Sequence, residues 1–502
     1  MVFLLLIATA LTLFLGYVWH VGSYWSKKKV PAPCPGESYA RLWTNFTLSE
    51  HFGLLLDKTY NFRRFQGKPY FGAFSFFKPL FVIRDLDLVK TVLQTNFNSF
   101  QKNDFDIDEE LEPIFATNPF SQSGQKWKRS RTQITPAFTS GRMKAMYPLM
   151  IEVGDRMKKY LEKNEGIPEG IDTKSLSEKF AMDNVASCAF GIDVESFTDK
   201  DSDFIRVAKK IFEPSFTNMI KFLIAFMVPF LSKILKIRLM PKETADFMTQ
   251  IVTQNVKYRE DHKIVRDDFL QGMINSKGKG QGEFPPLTNL EMTGHAVSFL
   301  TDGYETSSAV MAFVFYAVAK HKHVQDKLRQ EILDVLKKHD GQVTYEAIME
   351  MQYLEQVLYE TMRLYPPGMI LQKRCTQDCT IPGKSLGAED ITLREGDAVV
   401  IPLYSIQRDP EYYPDPEKFD PERFSDEEKA SRHSYAFLTF GAGPRMCLGM
   451  RFALLQMKVA LMSAVKSFEL SVNPKTKEPL ELDNKSFIIR VKDGMWVDFK
   501  KL

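Results

Sequence analysis

The segment FGAGPRMCLG, residues 440–449, is the most informative stretch of the chain. Its glycines permit positive φ angles and a close backbone approach, so the loop can wrap beneath a flat ligand and direct amides at a thiolate. The helix-forming sequence RFALLQMKVALMSAVKSF follows at once. Cys447 is therefore predicted to lie just before a helix N-terminus, where the helix dipole and free N–H groups lower the pKa of a thiol. An iron ligand needs these properties.

Other uses of this segment fit less well. A dinucleotide loop requires G-x-G-x-x-G, but Met446 stands at the third glycine position, and the G-K-[ST] of a phosphate loop is absent from the segment. A zinc site needs several clustered Cys or His ligands, whereas Cys375 and Cys379 supply only two. A buried structural thiol is the ordinary explanation of a lone cysteine, and the sequence around Cys447 argues against it.

The chain resembles a known family at this segment. Phe440, Gly443, Arg445, Cys447 and Gly449 match F-x-x-G-x-R-x-C-x-G, the haem-binding signature of the cytochrome P450 monooxygenases. The resemblance implies that these five residues form part of the cofactor site and that the Cys447 thiolate is the axial ligand of haem b. It also implies the fold of that family, which is mainly α with small β-sheets (α+β).

Two further motifs agree with the resemblance. The segments ETMR (360–363) and PERF (421–424) look like the family's E-x-x-R helix and P-E-R-F loop. Taken alone, a Glu/Arg pair three residues apart on a helix is ordinarily a solvated surface pair worth a few tenths of a kcal/mol. The resemblance instead implies a buried structural triad of Glu360, Arg363 and Arg423.

Additional cofactor contacts are expected from a basic helix and a strand. Trp127 and Arg131 match the W-x-x-x-R helix that binds haem propionates in the family, and residues at i and i+4 share one helical face. Arg445 is expected to be a third donor. A further basic residue is expected on a strand, where Arg374 is the predicted ligand and Lys373 beside it is the alternative.

Oxygen activation is expected on a long helix. The segment DGYETSS (302–308) resembles the family's A-G-x-[DE]-T-[TS]. Gly303 lets a flat ligand approach, and Thr306 can donate to the carbonyl four residues earlier, which opens a local groove. The resemblance implies that Thr306 orients water at the oxygen site and that Glu305 helps to deliver protons.

The sequence departs from that pattern at Asp302, where the family usually has Ala. A buried unpaired carboxylate is costly or has a raised pKa. The favoured interpretation is that Asp302 pairs with a base on a neighbouring helix, and the alternative is an additional acid near the oxygen site. Gln407 stands where related chains often have His.

The N-terminal segment is predicted to be a membrane anchor. Residues 2–26 contain no Asp, Glu, Lys or Arg, and include LLLIATALTLFLGYVW, about the 20 apolar residues that a spanning helix needs. A cleaved signal peptide is the competing interpretation. Trp19, Tyr24 and Trp25 are expected at the membrane interface, with the following lysines on the cytosolic side. The predicted divisions are an anchor at 1–26, a basic and proline-rich hinge at 27–36, and one catalytic domain at 37–502.

Secondary structure within that domain is expected to be mostly helical. Residues 68–94 and 391–405 are rich in β-branched and aromatic residues, which indicates short strands. Thr288 and Glu291 have the spacing of a capping box, and a helix from there to Lys320 would be roughly 48 Å long. The apolar segment 211–239 is either a buried helical hairpin or a surface that enters a membrane.

Composition limits the partners. Lys and Arg total 66 against 63 Asp and Glu, and no basic tract interleaved with aromatic residues occurs, so nucleic acid is not an expected partner. An odd, scattered set of five cysteines does not suit a disulfide-stapled secreted protein.

The resemblance implies a microsomal monooxygenase on the endoplasmic reticulum that faces the cytosol. It would use haem, O2 and NADPH-derived electrons from NADPH-cytochrome P450 reductase, with cytochrome b-five as a further partner. AFGID (189–193), YETSS and FDPERF resemble the clan of vertebrate drug-metabolising and insect detoxifying members, which suggests lipophilic xenobiotic or hormone-like substrates. A peroxide isomerase and a non-enzymatic haem or hydrophobic-ligand binder are the alternatives. The expected substrate contacts are Phe120, Phe299, Ile370 and Phe487.

Overall fold

The computed structural model describes residues 5, 9, 12, 16–34, 37, 44, 49–75, 78–198, 202–212, 220–221, 224, 229–276 and 286–502. The sequence after residue 37 predicts one large domain, whereas the chain groups into two compact units. The first unit comprises Met1–Asp104, Met369–Pro416 and His433–Met446, and the second comprises Phe105–Gly368, Glu417–Arg432 and Cys447–Leu502. Because both units are assembled from separated segments, no linker in the sequence marks their boundaries.

Helices dominate the described residues, which confirms a helix-rich chain with small sheets. In chain order they are α1 Tyr24–Lys27, α2 Phe52–Tyr60, α3 Leu86–Lys90, α4 Gly124–Ile134, α5 Ser140–Lys163, α6 Thr173–Val185, α7 Asp203–Phe212, α8 Pro229–Ile234, α9 Lys242–His262, α10 Phe269–Ser276, α11 Asn289–Lys320, α12 Lys322–Lys338, α13 Tyr345–Glu350, α14 Gln352–Leu364, α15 Leu403–Ile406, α16 Asp426–Ser431 and α17 Met450–Ser467.

The first unit contains a five-stranded sheet and a two-stranded ribbon. The strands of the chain are β1 Tyr70–Ser75, β2 Lys78–Ile83, β3 Lys102–Asn103, β4 Ile171–Asp172, β5 Leu371–Arg374, β6 Cys379–Ile381, β7 Ile391–Leu393, β8 Ala398–Ile401, β9 Phe468–Val472 and β10 Trp496–Lys501. The larger sheet has the order β1-β2-β8-β5-β3, and β6 pairs with β7. The parallel pair is β2 with β8, where Leu80 lies opposite Ala398.

The two strand predictions are confirmed in their centres and wrong at their ends. Residues 68–94 contain β1 and β2, but α3 follows because Asp85 accepts a hydrogen bond from Leu88 N and caps that helix. Residues 391–405 contain β7 and β8, and α15 begins at Leu403. The β-branched and aromatic composition identified the strands, while the Asp85 cap determined where the first segment gave way to a helix.

The end of the predicted anchor and the residues that follow it pack against β1 in the first unit. Trp25 is only 1% exposed, and its indole N–H donates to Ala73 O at 2.9 Å. A Cβ at Gly72 would come within 2.3 Å of the Trp25 ring, so glycine makes room for the indole. Gly72 N also donates to Pro31 O at 2.7 Å. The prediction that Trp25 lies at a membrane interface is therefore wrong, because the strand buries it.

No helix in the part of the chain that the structure describes is both long and apolar enough to cross a bilayer. Much of the predicted anchor at 1–26 lies outside the described residues, and so does much of the apolar segment 211–239. Within that second segment, α8 exposes Leu231 and Ile234, and Leu235 just after it is also exposed.

The second unit is built around α11, which contacts α6, α9, α14 and α17. Thr288 caps this helix with the predicted capping box, and the helix runs for 32 residues to Lys320. Both predictions are confirmed. Most side chains from Met292 to Leu300 and from Ser307 to Ala319 are buried. The intervening turn at 301–306 keeps accessible side chains, apart from Tyr304, so the burial of the helix is interrupted at the predicted oxygen-activation segment.

Candidate active site

Cys447 lies in the second unit, just before α17, whose N-cap is Gly449. Burial raises the pKa of the Cys447 thiol to about 11, although the backbone N–H groups of Gly449 and Met450 and the charge of Arg131 act to lower it. The predicted amide contacts are therefore present. The predicted net lowering is wrong, because the loss of hydration outweighs the amides.

The Cys447 side chain has solvent-accessible surface, yet the protein atoms around it remove most of its hydration. Both observations hold for a side chain that opens onto an internal recess. A bound metal ion supplies the missing positive charge and deprotonates a coordinating thiol, so a raised pKa in the metal-free protein is compatible with a ligand role.

Helix α4 brings a cation to this recess. Trp127 is buried on α4, and burial lowers the pKa of Arg131 one turn later, while the charge of Cys447 opposes that change. Arg131 and Cys447 therefore lie within electrostatic range of each other in the second unit. Trp127 and Arg131 are one turn apart on α4, as the W-x-x-x-R spacing predicts.

Thr306 makes the predicted contact within α11. Its Oγ1 donates to the Asp302 carbonyl at 2.5 Å. Such hydroxyl-to-carbonyl bonds bend helices slightly. The charge of Asp302 also acts on the Cys447 thiol. The accessible turn of α11 therefore lies within electrostatic range of the thiol.

The Glu305 carboxylate is paired with a lysine of α6. Its Oε1 lies 2.9 Å from Lys174 Nζ on α6, and the same amine donates to Ser308 Oγ at 2.7 Å and lies 3.3 Å from Glu178. Lys174 is almost fully buried. The carboxylate of Glu305 is thus neutralised by a partner that the sequence analysis missed. No local signal could have found it, because the two residues are 131 positions apart.

Asp302 has no basic partner among the described residues. Its carboxylate accepts from Asn118 Nδ2 at 3.1 and 3.3 Å and from Thr301 Oγ1 at 3.0 Å. Burial raises the pKa of Asp302 to about 6, and those hydrogen bonds lower it only in part. The prediction that Asp302 pairs with a base is wrong, because the facing residue is an amide.

The glycine-rich loop before Cys447 belongs to the first unit as far as Met446. Gly441 and Gly443 have φ of +68° and +69°, and a Cβ at Gly443 would lie 2.1 Å from Leu93 O. Both the conformation and the close approach therefore require glycine at 443. Gly449 has φ of −81°, so its backbone angle does not demand glycine.

Two side chains support this loop within the first unit. Arg445 Nε donates to Gln101 O. Gln407 Oε1 accepts from Leu438 N at 3.0 Å and from Thr439 Oγ1 at 3.1 Å, so it holds the backbone that leads into Phe440. The Gln407 amide thus has a structural role at the position where related chains often have His.

The two basic residues on β5 are separated by the alternation of the strand. Arg374 bonds to Asp104 Oδ1 through Nε at 2.9 Å and Nη2 at 2.8 Å. Lys373 is buried, and its amine donates to Asn103 Oδ1 at 2.6 Å. Burial and the nearby charge of Arg445 lower the pKa of Lys373 to about 7. The charge of Arg445 therefore acts on Lys373, and the prediction that Arg374 contacts haem stays a prediction.

The predicted triad is present in the second unit, and Glu360 and Arg363 are fully buried. Arg363 donates to Glu360 through Nε at 2.7 Å and Nη2 at 2.8 Å, and Arg423 Nε lies 3.6 Å from Glu360 Oε1. Asp420 N donates to the same oxygen at 2.8 Å. The triad ties α14 to the PERF turn, so the structural role expected for it fits its geometry.

The four expected substrate contacts have unlike surroundings. Phe299 is buried, with its ring centroid 5.5 Å from that of Phe138 and 4.7 Å from that of Phe452. Phe120 and Phe487 are 54% and 62% exposed. Ile370 belongs to the first unit and is partly buried. Packing is thus the clearest role of Phe299, while Phe120 and Phe487 have surface that a ligand can contact.

The donor chemistry of each unit fits haem. The second unit supplies a thiol with two amides aimed at it, a buried tryptophan and the Arg131 guanidinium. The first unit supplies Lys373 and Arg445, two neighbouring cations suited to carboxylates such as propionates. Within the second unit, Cys447 would hold the iron and Arg131 would bind a propionate.

Comparison with known proteins gives the same family. The family model described as Cytochrome P450 matches residues 35–497. Cytochrome P450 6j1 of Blattella germanica is 34% identical over 479 residues, covering 95% of this chain and 93% of its own. Probable cytochrome P450 6a23 of Drosophila melanogaster is 35% identical over 506 residues, covering 99% of both chains. Cytochrome P450 9e2 of Blattella germanica is 33% identical over 509 residues, covering 95% and 94%.

Proposed function

Since the chain belongs to the cytochrome P450 family and is a haem monooxygenase, we propose that it inserts one oxygen atom from O2 into lipophilic substrates with electrons from NADPH. A separate NADPH-cytochrome P450 reductase supplies the electrons, and cytochrome b-five can assist. The observation that carries the proposal is the accessible turn of α11, where Thr306 donates to the Asp302 carbonyl and the charge of Asp302 acts on the Cys447 thiol of the same unit.

The roles of the residues follow from their contacts. Haem bound through Cys447 supplies the iron at which O2 is activated. The amides of Gly449 and Met450 hold the charge of the thiolate. Thr306 holds water near the oxygen site through its hydroxyl. The likeness to the family's A-G-x-[DE]-T-[TS] segment assigns Glu305 to proton delivery, and its ion pair with Lys174 holds the carboxylate in place.

We propose that the protein lies on the endoplasmic reticulum, with the uncharged segment that precedes Trp25 as anchor and the catalytic part in the cytosol. The uncharged sequence from 2 to 26 and the exposed Trp19 support this assignment. Xenobiotic or hormone-like molecules are the proposed substrates, and the exposed rings of Phe120 and Phe487 offer apolar contact surface.

Isotope labelling tests the reaction. The membrane-bound protein would be incubated with reductase, NADPH, 18O2 and a panel of lipophilic substrates, and the products would be analysed by mass spectrometry. A product that carries one 18O atom, formed only with NADPH, is the expected result. Conversion of peroxides without O2 or reductase would favour an isomerase, and ligand binding without turnover across the panel would favour a carrier.

Thr306→Ala is expected to uncouple NADPH oxidation from product formation. The substitution removes the hydroxyl and its bond to the Asp302 carbonyl, so water near the oxygen site loses its partner. We expect the product formed per NADPH to fall by about tenfold or more, since one positioned proton donor contributes about 10²–10⁴-fold. Thr306→Ser is the matched control because it keeps the hydroxyl. Equal coupling in the alanine variant and the unchanged protein would contradict this role.

Lys373→Gln is expected to weaken haem retention. Lys373 is a buried amine that donates to the neutral amide of Asn103. A propionate beside Lys373 and Arg445 would balance both positive charges. Loss of a charged hydrogen bond predicts about tenfold faster haem transfer to apomyoglobin. Arg374→Gln is the control, since Arg374 is bonded to Asp104. Faster haem loss from the Arg374 variant than from the Lys373 variant would reverse the assignment.

A further inference from the structure

We propose that the Asp302 carboxylate binds the positively charged nitrogen of cationic lipophilic substrates. The proposal rests on the monooxygenase function above and narrows its substrate class. Asp302 is an acid on the accessible turn of α11, and its charge acts on the Cys447 thiol. The proton-delivery roles proposed for Thr306 and Glu305 do not use its carboxylate.

The partners of the carboxylate are neutral. Asn118 donates to both oxygens at 3.1 and 3.3 Å, and Thr301 donates to one of them at 3.0 Å. Asn118 is fixed in this orientation because its own Oδ1 accepts from Phe120 N at 2.8 Å. The amide therefore holds the carboxylate in place without neutralising its charge.

The neighbouring acid on the same helix shows the contrast. The carboxylate of Glu305 lies 2.9 Å from the Lys174 amine. For Asp302, no Lys, Arg or His among the described residues lies within 4.0 Å, the range of an ion pair. A charge inside a protein is stable when an opposite charge pairs with it, and the same charge without that partner is costly. A cationic ligand nitrogen would supply the missing partner, which a neutral ligand cannot do.

The position of Asp302 also fixes where a bound cation would lie. Thr306 follows Asp302 by four residues on α11, which corresponds to about 6 Å along the helix axis. Its hydroxyl bonds to the carbonyl of Asp302 itself. A nitrogen held by the Asp302 carboxylate would thus lie about one helical turn from the oxygen-activating hydroxyl, with the adjoining carbon atoms within reach of it.

The test compares a phenylalkyl trimethylammonium ion with its neutral tert-butyl isostere. The quaternary nitrogen has no lone pair for iron, and its charge does not change with pH. Dissociation constants of both ligands would be measured by equilibrium dialysis against the haem-loaded full chain, as the unchanged protein, Asp302→Asn and Glu291→Gln. Glu291 is the matched control, because it is an acid on the same helix that pairs with Arg129 near the helix start.

In Asp302→Asn we expect the dissociation constant of the cation to rise about tenfold and that of the isostere to change less than about twofold. Glu291→Gln should change neither. Equal changes for both ligands, or a preference unaffected by Asp302→Asn, would overturn the proposal.

A second variant and a spectrum keep the outcomes distinct. Asn118→Ala removes the amide that orients the Asp302 carboxylate, but it keeps Asp302 itself. We expect this variant to bind the cation more weakly. The spectrum of the reduced carbon monoxide complex reports the thiolate-ligated haem of each variant. If that spectrum is intact and no cation preference exists, the substrate inference alone fails. If the thiolate spectrum is missing from the unchanged protein, the proposed function fails.

Discussion

Cys447→Ser is expected to abolish the strongly red-shifted Soret band of the reduced carbon monoxide complex and to lower O2-dependent turnover by more than about 100-fold. Loss of residues that merely support a metal ligand costs about 10–100-fold, so loss of the ligand itself should exceed that range. A serine hydroxyl keeps the size of the side chain, but it does not offer a thiolate to iron. The measurement is the carbon monoxide difference spectrum of membranes that contain equal amounts of each protein.

Cys34→Ser is the matched control for this experiment. Cys34 is an exposed cysteine of the first unit, so its removal should leave the band and the turnover unchanged. Retention of the red-shifted band in Cys447→Ser would show that another residue ligates the iron. Its absence from haem-supplied, folded unchanged protein would remove the thiolate assignment altogether.

Glu360→Gln is expected to destabilise the second unit by about 3–5 kcal/mol, the typical cost of breaking a buried ion pair. The substitution leaves the fully buried Arg363 without its anion, and an arginine cannot lose its proton to escape that cost. Total stabilities are about 5–15 kcal/mol, so little folded, haem-loaded protein should accumulate. Denaturant unfolding and the yield of haem-containing protein would measure the effect.

The neighbouring turn supplies the control. Glu422 pairs with Lys327, and both side chains are more than half exposed, so Glu422→Gln should cost about 0–1 kcal/mol. The two substitutions make the same chemical change, and they differ in burial. Equal loss of stability in both variants would contradict a structural role for the buried triad.

Local patterns in the sequence predicted the parts of this protein that depend on near neighbours. The capping box at Thr288 and the absence of proline predicted α11 over its whole length. The glycines before Cys447 predicted a loop with positive φ, and two of them have it. Amides at the start of α17 do face the thiol. Each of these features is determined within a few residues, where backbone geometry and hydrogen bonding leave few alternatives.

Contacts between distant residues were decided by the tertiary structure. Asn118 and Asp302 are 184 positions apart, and Lys174 and Glu305 are 131 apart. The different partners of Lys373 and Arg374 depend on which face of β5 is buried, since a shift of one residue reverses the direction of a side chain. Trp25 looked like an interfacial residue and became core because β1 provides Gly72 beneath its ring.

The sequence by itself therefore determined the chemistry of this protein: a cysteine before a helix, a threonine and an acid on a long helix, and a buried ion-pair motif. The tertiary structure decided the charge state and partner of each acid and thiol. The physical reason is that burial and facing dipoles set the cost of a charge, and both depend on which distant segments pack against it. Asp302 and Glu305 illustrate this, because two acids three residues apart on one helix face an amide and an amine.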